Sequence, residues 1–202
     1  MVRLLRGFAV TLVAVTVAYA AAAQNAQPQR LRGSVMVIDG KEMTVSIGDG
    51  AVAKIRLADD WSVIEASRLD PAKIPAGAFV GAGATKLPNG TLRAVQVTVF
   101  PQQSRGTNEG QRAWNGAPEG LMTNAPVTAI VTSAQGPELT LTGGQNYKVV
   151  VPPDAFVVLQ EIGTRDMIKT GANISFAPAR AADGAMTATR IVVGKDGAVP
   201  PI

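Results

Sequence analysis

The chain contains no histidine and no cysteine, and these two absences narrow its chemistry more than any motif does. Without histidine there is no His-based catalytic triad and no His-ligated haem, and without cysteine there is no thiol nucleophile. Together the two absences exclude the usual structural zinc sites. Carboxylates, lysine, serine, threonine and tyrosine remain as catalytic groups, and hard cations with oxygen ligands remain as metals. We therefore predict no enzyme activity, no bound metal and no cofactor.

Aromatic residues are also scarce, at 4% of the chain, and the charge is nearly balanced. The chain carries 19 basic and 15 acidic residues. Removal of residues 1–23 takes away two basic residues and no acidic one, which leaves 17 against 15 and a net charge near +2. A nucleic-acid site needs a basic surface with stacking aromatics. The composition therefore argues against a nucleic-acid partner.

The first 23 residues have the pattern of a secretory signal peptide. Arg3 and Arg6 form a short basic region, residues 7–23 carry no charge, and the small residues 21–23 suit a signal peptidase. The alternative is a retained membrane anchor, but the uncharged run is short for a span and ends in weakly apolar alanines. We predict cleavage near Ala23, a periplasmic or secreted location, and no membrane span in the mature chain.

The mature sequence repeats itself. Residues 40–45 read GKEMTV, and residues 136–141, which start 96 positions later, read GPELTL. Residues 89–94 read NGTLRA, and residues 183–188, which start 94 positions later, read DGAMTA. The second copy therefore lacks two residues between these strings. We predict a duplicated β-rich unit.

Each copy consists of short alternating segments separated by turns that contain glycine. Three strands, a short helical connector and two further strands follow each other in residues 33–100 and again in residues 127–193. The connectors are predicted around residues 65–69 and 165–169. This is the element order of the OB-fold, so we predict an all-β protein of two tandem OB-like five-stranded barrels. A β-sandwich or another small barrel would give similar strand patterns.

Three segments lie outside the two copies: an N-terminal extension at residues 24–32, a Gly-, Pro- and Asn-rich interrepeat loop at 101–126, and a tail at 194–202. The interrepeat loop also contains large apolar residues, Trp114 among them, which are poor choices for a solvated linker. A long loop with buried anchors is usually an ordered, packed segment. We therefore predict an ordered loop, with Trp114 at the seam between the two barrels.

Four strings carry a resemblance to a known family: RGTNEGQRAW at residues 105–114, MTN at 122–124, VVPPD at 150–154 and VGKDGAVPP at 193–201. Through them, most of the mature chain resembles a family of exported bacterial proteins of unknown function with a duplicated small OB-like β-domain. The resemblance implies no established activity. Some members carry the label of a metal ABC transporter permease, which a chain with one N-terminal apolar segment does not support.

The strongest candidate site is the group Arg105, Glu109, Arg112 and Trp114 in the interrepeat loop. Arginine donates several hydrogen bonds and tryptophan offers a large apolar area, which suits a ligand or a partner protein. The alternative is that these side chains fasten the two copies to each other, with Glu109 paired to an arginine. Trp61 is a further candidate for stacking on a ligand, although a place in the core is the commoner role for such a residue.

Two groups of acidic residues are weaker candidates. Asp59 and Asp60 are adjacent, and neighbours in a strand point to opposite faces, so they serve one ion or substrate only if the backbone is irregular. Asp39, Glu42 and Asp49 lie in the first hairpins, but their spacing is not that of a calcium loop. Both groups are better explained as ordinary residues of turns and strand ends.

Three functions remain open at this point. The first is a non-catalytic exported module that binds an unknown protein, small-molecule or glycan partner in the cell envelope. The second is a carboxylate-dependent envelope enzyme, which needs two carboxyl groups about 5–10 Å apart across a cleft. The third is a purely structural scaffold for envelope stress. The sequence favours the first, because it combines an export signal and a duplication with the lack of a recognisable catalytic set.

Overall fold

The structure is a computed structural model that describes residues 30–181 and 183–201. The predicted signal peptide and most of the N-terminal extension lie outside the described residues. Short 3-10 turns span Pro71–Lys73, Gln102–Ser104, Arg165–Met167 and Lys195–Gly197. The strands are β1 (Leu31–Asp39), β2 (Glu42–Ser46), β3 (Val52–Arg68), β4 (Phe79–Lys86), β5 (Leu92–Val99), β6 (Gly110–Trp114), β7 (Gly120–Ser133), β8 (Gly136–Gly143), β9 (Gln145–Val150), β10 (Phe156–Gly163), β11 (Asn173–Phe176), β12 (Ala179–Arg180) and β13 (Met186–Gly194).

The strands form where apolar and polar residues alternate. In the first part of β3, Ala53, Ile55 and Leu57 are buried while the residues between them are exposed. Tight turns separate the strands, and Gly40 and Gly90 adopt φ values of 54° and 84° in two of them, a backbone region that other residues enter at a cost. The prediction of an all-β protein is confirmed.

Five strands close into a barrel, which we term the first ring. β1 pairs with β2, β2 with β3, β3 with β13, β13 with β11, and β11 returns to β1. The pairing of β3 with β13 is parallel and the others are antiparallel. A closed ring pairs both edges of each of its strands. The strands share one buried cluster, to which β1, β2, β3, β11 and β13 contribute Val35, Met43, Ile55, Phe176 and Ile191.

Five other strands also pair in a closed cycle, which we term the second ring. β7 pairs with β8, β8 with β9, β9 with β5, β5 with β4, and β4 returns to β7. The parallel pairing here joins β5 and β9. The strands again share one buried cluster, to which β7, β8, β9, β4 and β5 contribute Val127, Leu139, Val149, Val80 and Val97.

Each ring takes strands from both halves of the chain. The first joins β1, β2 and β3 to β11 and β13, and the second joins β7, β8 and β9 to β4 and β5. Backbone hydrogen bonds follow the same crosswise pattern. The Gly77 N–H donates to the Val127 carbonyl at 3.0 Å, and the Gly171 N–H donates to the Val35 carbonyl at 2.8 Å.

This exchange differs from the prediction that residues 33–100 and residues 127–193 each close a barrel of their own. The physical reason lies in the length of β3. At about 3.3 Å per residue, a strand of 17 residues extends about 55 Å, well beyond the width of a small barrel. The second half of β3 pairs with β10, with Ala66 opposite Gln160, and carries the chain to the second ring before β4 begins.

The helical connectors are shorter than predicted. Residues 65–68 belong to β3, and the first connector is the 3-10 turn Pro71–Lys73, whose Ala72 N–H donates to the Asp70 carboxylate at 2.9 Å. Proline has no N–H for a sheet, so β3 ends before it. The second connector, Arg165–Met167, lies where it is predicted. Across residues 30–181 and 183–201, no helix has the length and apolar character that a membrane crossing requires.

Candidate functional site

The two arginines of the interrepeat loop contact the backbone of their own chain. Arg105 Nη1 donates to the Gly77 carbonyl at 2.9 Å, and Arg112 Nη1 donates to the Asn108 carbonyl at 3.2 Å. Burial lowers the pKa of Arg112. Gly77 lies in the connection that leads into β4, so Arg105 ties the loop to the start of the second ring. Arg112, by contrast, stabilises only the loop itself, because Asn108 belongs to the same loop.

Trp114 is the main anchor of the same loop. It ends β6, and its indole lies over Gly83 on the outer face of β4, where a Cβ atom would come within 2.8 Å of the ring. Gly116 and Gly120 also lie against the indole, and side chains at these positions would meet it. Trp114 therefore covers the second ring, whereas the prediction placed it at the seam between the rings.

Glu109 and Trp61 lie apart from this anchor. Glu109 is exposed beside Gly143, and it forms no ion pair with the residues that the structure describes. Trp61 is 9% exposed and belongs to the buried cluster of the first ring. The guanidinium of Arg165 lies 4.8 Å above its ring and donates to its backbone carbonyl at 2.7 Å. Because Arg165 covers the indole, Trp61 is a core residue with an internal partner.

Asp59 and Asp60 are both exposed, because the backbone of β3 is irregular at this point. Between its pairings with Ala188 and Arg190, β3 places four residues opposite one residue of β13, which is a bulge. Asp59 pairs with Lys41, and the hydrogen bond from Lys41 lowers the pKa of Asp59. Within the described residues, no group of three acidic side chains is arranged to hold a metal ion.

A groove to which the sequence did not point opens beside the turn between β4 and β5. Its volume is about 570 Å³, within the range of small-molecule sites. The β4–β5 turn, the β7–β8 turn and the bend between β9 and β10 form its walls. We term it the apolar groove. Leu87, Val150, Pro152 and Pro153 supply its apolar surface, and Arg93, Glu138 and Asp154 supply its charges.

A second groove adjoins the first at the same turn and shares Asn89 and Thr91 with it. Its volume is about 400 Å³, and we term it the polar groove. β6 brings Gln111 into its wall, where Gln111 Nε2 donates to Thr123 Oγ1 at 3.0 Å. The interrepeat loop thus contributes to this groove through a residue that was not among the predicted site residues. The rest of the lining includes Lys86, Gln145, Asn146, Tyr147 and Lys148.

The two grooves together carry one more cation than carboxylate. Arg93 Nη2 lies 3.0 Å from the Asp154 carboxylate, and its hydrogen bond lowers the pKa of Asp154. Lys148 Nζ lies 3.5 Å from the Glu138 carboxylate. Lys86 has no carboxylate within 4.0 Å among the described residues. The grooves therefore contain three cationic side chains and two carboxylates, and Lys86 is the cation that has no carboxylate partner among the described residues.

The first ring has matching turns, but an ion pair bridges them. In the turn before β13, Asp183 Oδ1 accepts from the Ala185 N–H at 3.0 Å, as Asn89 Oδ1 accepts from the Thr91 N–H at 3.0 Å in the turn before β5. Arg56 of β3 donates to the Asp183 carboxylate at 2.8 Å. This hydrogen bond lowers the pKa of Asp183. The bridge occupies the place where the second ring has the apolar groove.

Four matched positions explain the difference between the rings. β5 pairs Arg93 with Val150, and β13 pairs Thr187 with Arg56, so Val150 is the counterpart of Arg56. By the same matching, the second-ring counterparts of Asp183, Lys41 and Asp59 are Asn89, Pro137 and Pro153. All four residues that form the Arg56–Asp183 and Lys41–Asp59 ion pairs therefore have uncharged counterparts in the second ring. The β7–β8 hairpin also has two more residue pairs beyond its bulge than the β1–β2 hairpin, which raises one wall of the groove.

The fold and the grooves define the class of protein: an all-β chain with a closed five-stranded barrel and a candidate binding site at its turns. No family model, no curated protein and no solved structure matches the chain. The resemblance to the exported family stays a prediction that rests on its sequence strings. Function must therefore be inferred from the geometry and the charges of the grooves.

Proposed function

We propose that the protein is a non-catalytic, exported binding module whose ligand lies in the two grooves around the β4–β5 turn. In this proposal the rings are OB-like barrels derived from a duplicated unit, and residues 1–23 direct the chain to the periplasm or beyond. The observation that carries the proposal is the pair of adjoining grooves at the turns of the second ring, where the first ring has bridging ion pairs.

The position of the grooves supports this function. OB-type barrels bind ligands on the face of strands 2 and 3 and at the turns that join strands 1 to 2 and 4 to 5. In the order of the second ring these are the β7–β8 turn and the β4–β5 turn, which line the apolar groove through Gln135 and Asn89. The third strand of the ring, β9, lines the polar groove through Tyr147. The grooves thus occupy the surface that this kind of barrel uses.

The charges in the grooves favour binding over catalysis. A carboxyl group that acts as a general acid near neutral pH needs a raised pKa. The hydrogen bond from Arg93 instead lowers the pKa of Asp154. The other carboxylate, Glu138, lies 3.5 Å from the Lys148 ammonium group. Both carboxylates serve as partners of cations, which suits a preorganised binding surface.

An exchange of charges between the rings tests the proposal. The double variant Asn89→Asp, Val150→Arg gives the second ring the counterpart of the Arg56–Asp183 pair, and we expect it to close the apolar groove and abolish ligand binding. The matched control Arg56→Val, Asp183→Asn removes the pair from the first ring and should leave binding intact. A thermal-shift screen of residues 24–202 against glycans, metabolites and metals identifies the ligand, and calorimetry measures its Kd.

Circular dichroism and the thermal transition provide the control for folding in both double variants. Unchanged affinity in the folded groove variant contradicts the proposal, because the ligand then lies elsewhere. Loss of binding in the first-ring variant, with its fold intact, contradicts it as well, since that variant leaves both grooves untouched.

A structural role in the envelope is the second candidate, and the inward contacts of the interrepeat loop favour it. Arg105 contacts Gly77 and Trp114 lies against Gly83, so the loop is fastened to the connection into β4 and to β4 itself, as expected of a segment that holds a scaffold together. A screen without a saturable shift, together with a phenotype of the deletion strain under envelope stress only, would support this role over the binding module.

A further inference from the structure

We propose that the ligand of the grooves is a linear acidic glycan, and that Lys86 binds its carboxylate. The inference rests on the proposed binding function and names the ligand class for the same site. The grooves contain side-chain amides, an aromatic residue, apolar residues and one unpaired cation. An acidic sugar chain offers hydroxyl groups to the amides, C–H faces to the aromatic and apolar residues, and a carboxylate to the cation.

The amides of the polar groove suit sugar hydroxyls, because each amide offers both a donor and an acceptor. Among the described residues, Gln111 donates through Nε2 to Thr123 and keeps its Oε1 as an acceptor. Asn89 accepts through Oδ1 from the β4–β5 turn and keeps its Nδ2 as a donor. Asn146 accepts through Oδ1 from the hydroxyl of Thr142 and likewise keeps its Nδ2. The groove therefore presents donors and acceptors next to each other, as a hydroxyl group requires.

The remaining surface suits the C–H faces of sugar rings. Tyr147 is half-buried, packs against the core of the second ring and is one of the residues that line the polar groove. Leu87, Pro152 and Pro153 line the neighbouring apolar groove. An aromatic side chain combines an apolar face with a polar tip, which matches a ring with an apolar face and hydroxyls at its edge.

The arrangement of the grooves favours a chain over a single sugar. The two grooves lie on either side of the β4–β5 turn and share Asn89 and Thr91 in their linings, so an extended ligand that passes around this turn would contact both. Each groove alone has the volume of an ordinary small-molecule site. A short linear oligosaccharide fills the pair, whereas a monosaccharide would occupy one of them.

Lys86 adds the preference for an acidic ligand. Arg93 and Lys148 are engaged by Asp154 and Glu138, so the net positive charge of the grooves resides on Lys86. A carboxylate on the sugar gives this ammonium group the partner that the described residues do not supply. A single-stranded nucleic acid is a poorer fit, because it needs a series of stacking aromatics and Tyr147 is the one aromatic residue in the described lining.

The test compares a linear tetramer of a uronic acid with its fully methyl-esterified form, which has the same sugar chain but carries uncharged methyl esters in place of the carboxylates. We expect the wild-type chain to bind the acid about tenfold more tightly than the ester, the gain of one charge-assisted hydrogen bond. Lys86→Gln should lower the affinity for the acid to that for the ester and leave the ester unaffected. The matched control Lys54→Gln removes an exposed lysine of the first ring and should change neither affinity. Calorimetry at low and high salt measures each Kd, and NMR shifts of Gln111 and Tyr147 report the site.

The outcomes separate this inference from the proposed function. Equal affinities for acid and ester in the wild type, or a preference that survives Lys86→Gln, overturn the acidic assignment and leave the groove as a glycan site. Binding of neither tetramer, with groove shifts produced by an eight-residue oligothymidylate instead, overturns the glycan assignment and leaves the binding function. No groove shift with any of these probes overturns the acidic-glycan assignment, and the binding function is then decided by the ligand screen and the charge-exchange variants described above.

Discussion

The two rings share one strand order but differ in what fills them and in what joins their turns. Phe176 pairs with Ile191 in the first ring at the position where Ala82 pairs with Val97 in the second. Trp61 likewise stands where the second ring has an alanine. The first ring thus has larger side chains than the second at these two core positions. Each ring has two ion pairs near its turns, but those of the second ring, Arg93–Asp154 and Lys148–Glu138, lie at other positions and leave the grooves open. The difference shows that one strand order accommodates both bridged turns and turns that border grooves.

The largest expected effect comes from separating the two halves of the chain. Residues 30–100 and 101–201 each supply three strands to one ring and two to the other, so neither half closes a ring. We expect each half expressed alone to lack a cooperative thermal transition, and the two halves expressed together to recover it. Circular dichroism and analytical ultracentrifugation of the separate and mixed halves measure this. A cooperative transition in either half alone would show that a single repeat closes its own ring.

A core substitution in the first ring should have the next largest effect. Phe176 is fully buried among side chains of the first ring. Phe176→Ala should lower the free energy of unfolding by about 3–5 kcal/mol, because it removes a large apolar side chain and leaves a cavity. Urea denaturation monitored by circular dichroism measures the change. Val131→Ala is the matched control, since Val131 is 58% exposed on β7 and should cost little. A loss of less than about 1 kcal/mol for Phe176→Ala would mean that the cavity collapses or that the core is packed differently.

The smallest effect concerns the ion pair of the first ring and its dependence on pH. The hydrogen bond from Arg56 lowers the pKa of Asp183 below its ordinary value of 3.8. A carboxyl group whose pKa is lower in the folded state than in the unfolded state stabilises the fold at pH values above its unfolded-state pKa. This stabilisation is lost as the pH falls through the folded-state pKa. We expect a small decrease in Tm for Asp183→Asn at pH 7, because the pair is exposed, and no difference from the wild type at about pH 2.

Differential scanning calorimetry from pH 7 to pH 2 follows this contribution. Asp60→Asn serves as control, since Asp60 is exposed and forms no ion pair with the described residues. A Tm difference for Asp183→Asn that persists unchanged at the lowest pH would show that its cause is not the ionised pair.

The local features of the fold could be predicted from the sequence, and the long-range ones could not. Alternating residues and Gly-containing turns predict most strands to within a few residues, because both signals act over short distances. Residues 65–68 were expected to be helical, but pairing with β10 holds them in β3 and overrides their propensity. The exchange of strands between the rings depends on which distant strands pair, and no local pattern encodes that choice.

The candidate site shows the same limit. Residues 101–126 were expected to form a loop, but β6 and the first residues of β7 lie in this segment. Trp114 lies over Gly83, and no spacing in the sequence links these two positions. The sequence repeat contains one weak indication of the grooves. When the two copies are aligned, the charged residues Arg56 and Asp183 match the uncharged residues Val150 and Asn89. That signal becomes interpretable only when the structure shows that Arg56 and Asp183 form a pair across the halves.

The exchange of strands also determines how the molecule responds to dilution. A single copy of the unit, exchanged in the same way, would need a second molecule to close either ring, and its folding would depend on concentration. In this chain residues 100–109, between β5 and β6, tether the two halves, so closure takes place at a fixed effective concentration. A single proteolytic cut in that tether would convert one protein into two subunits, whose persistence would then be governed by a dissociation constant.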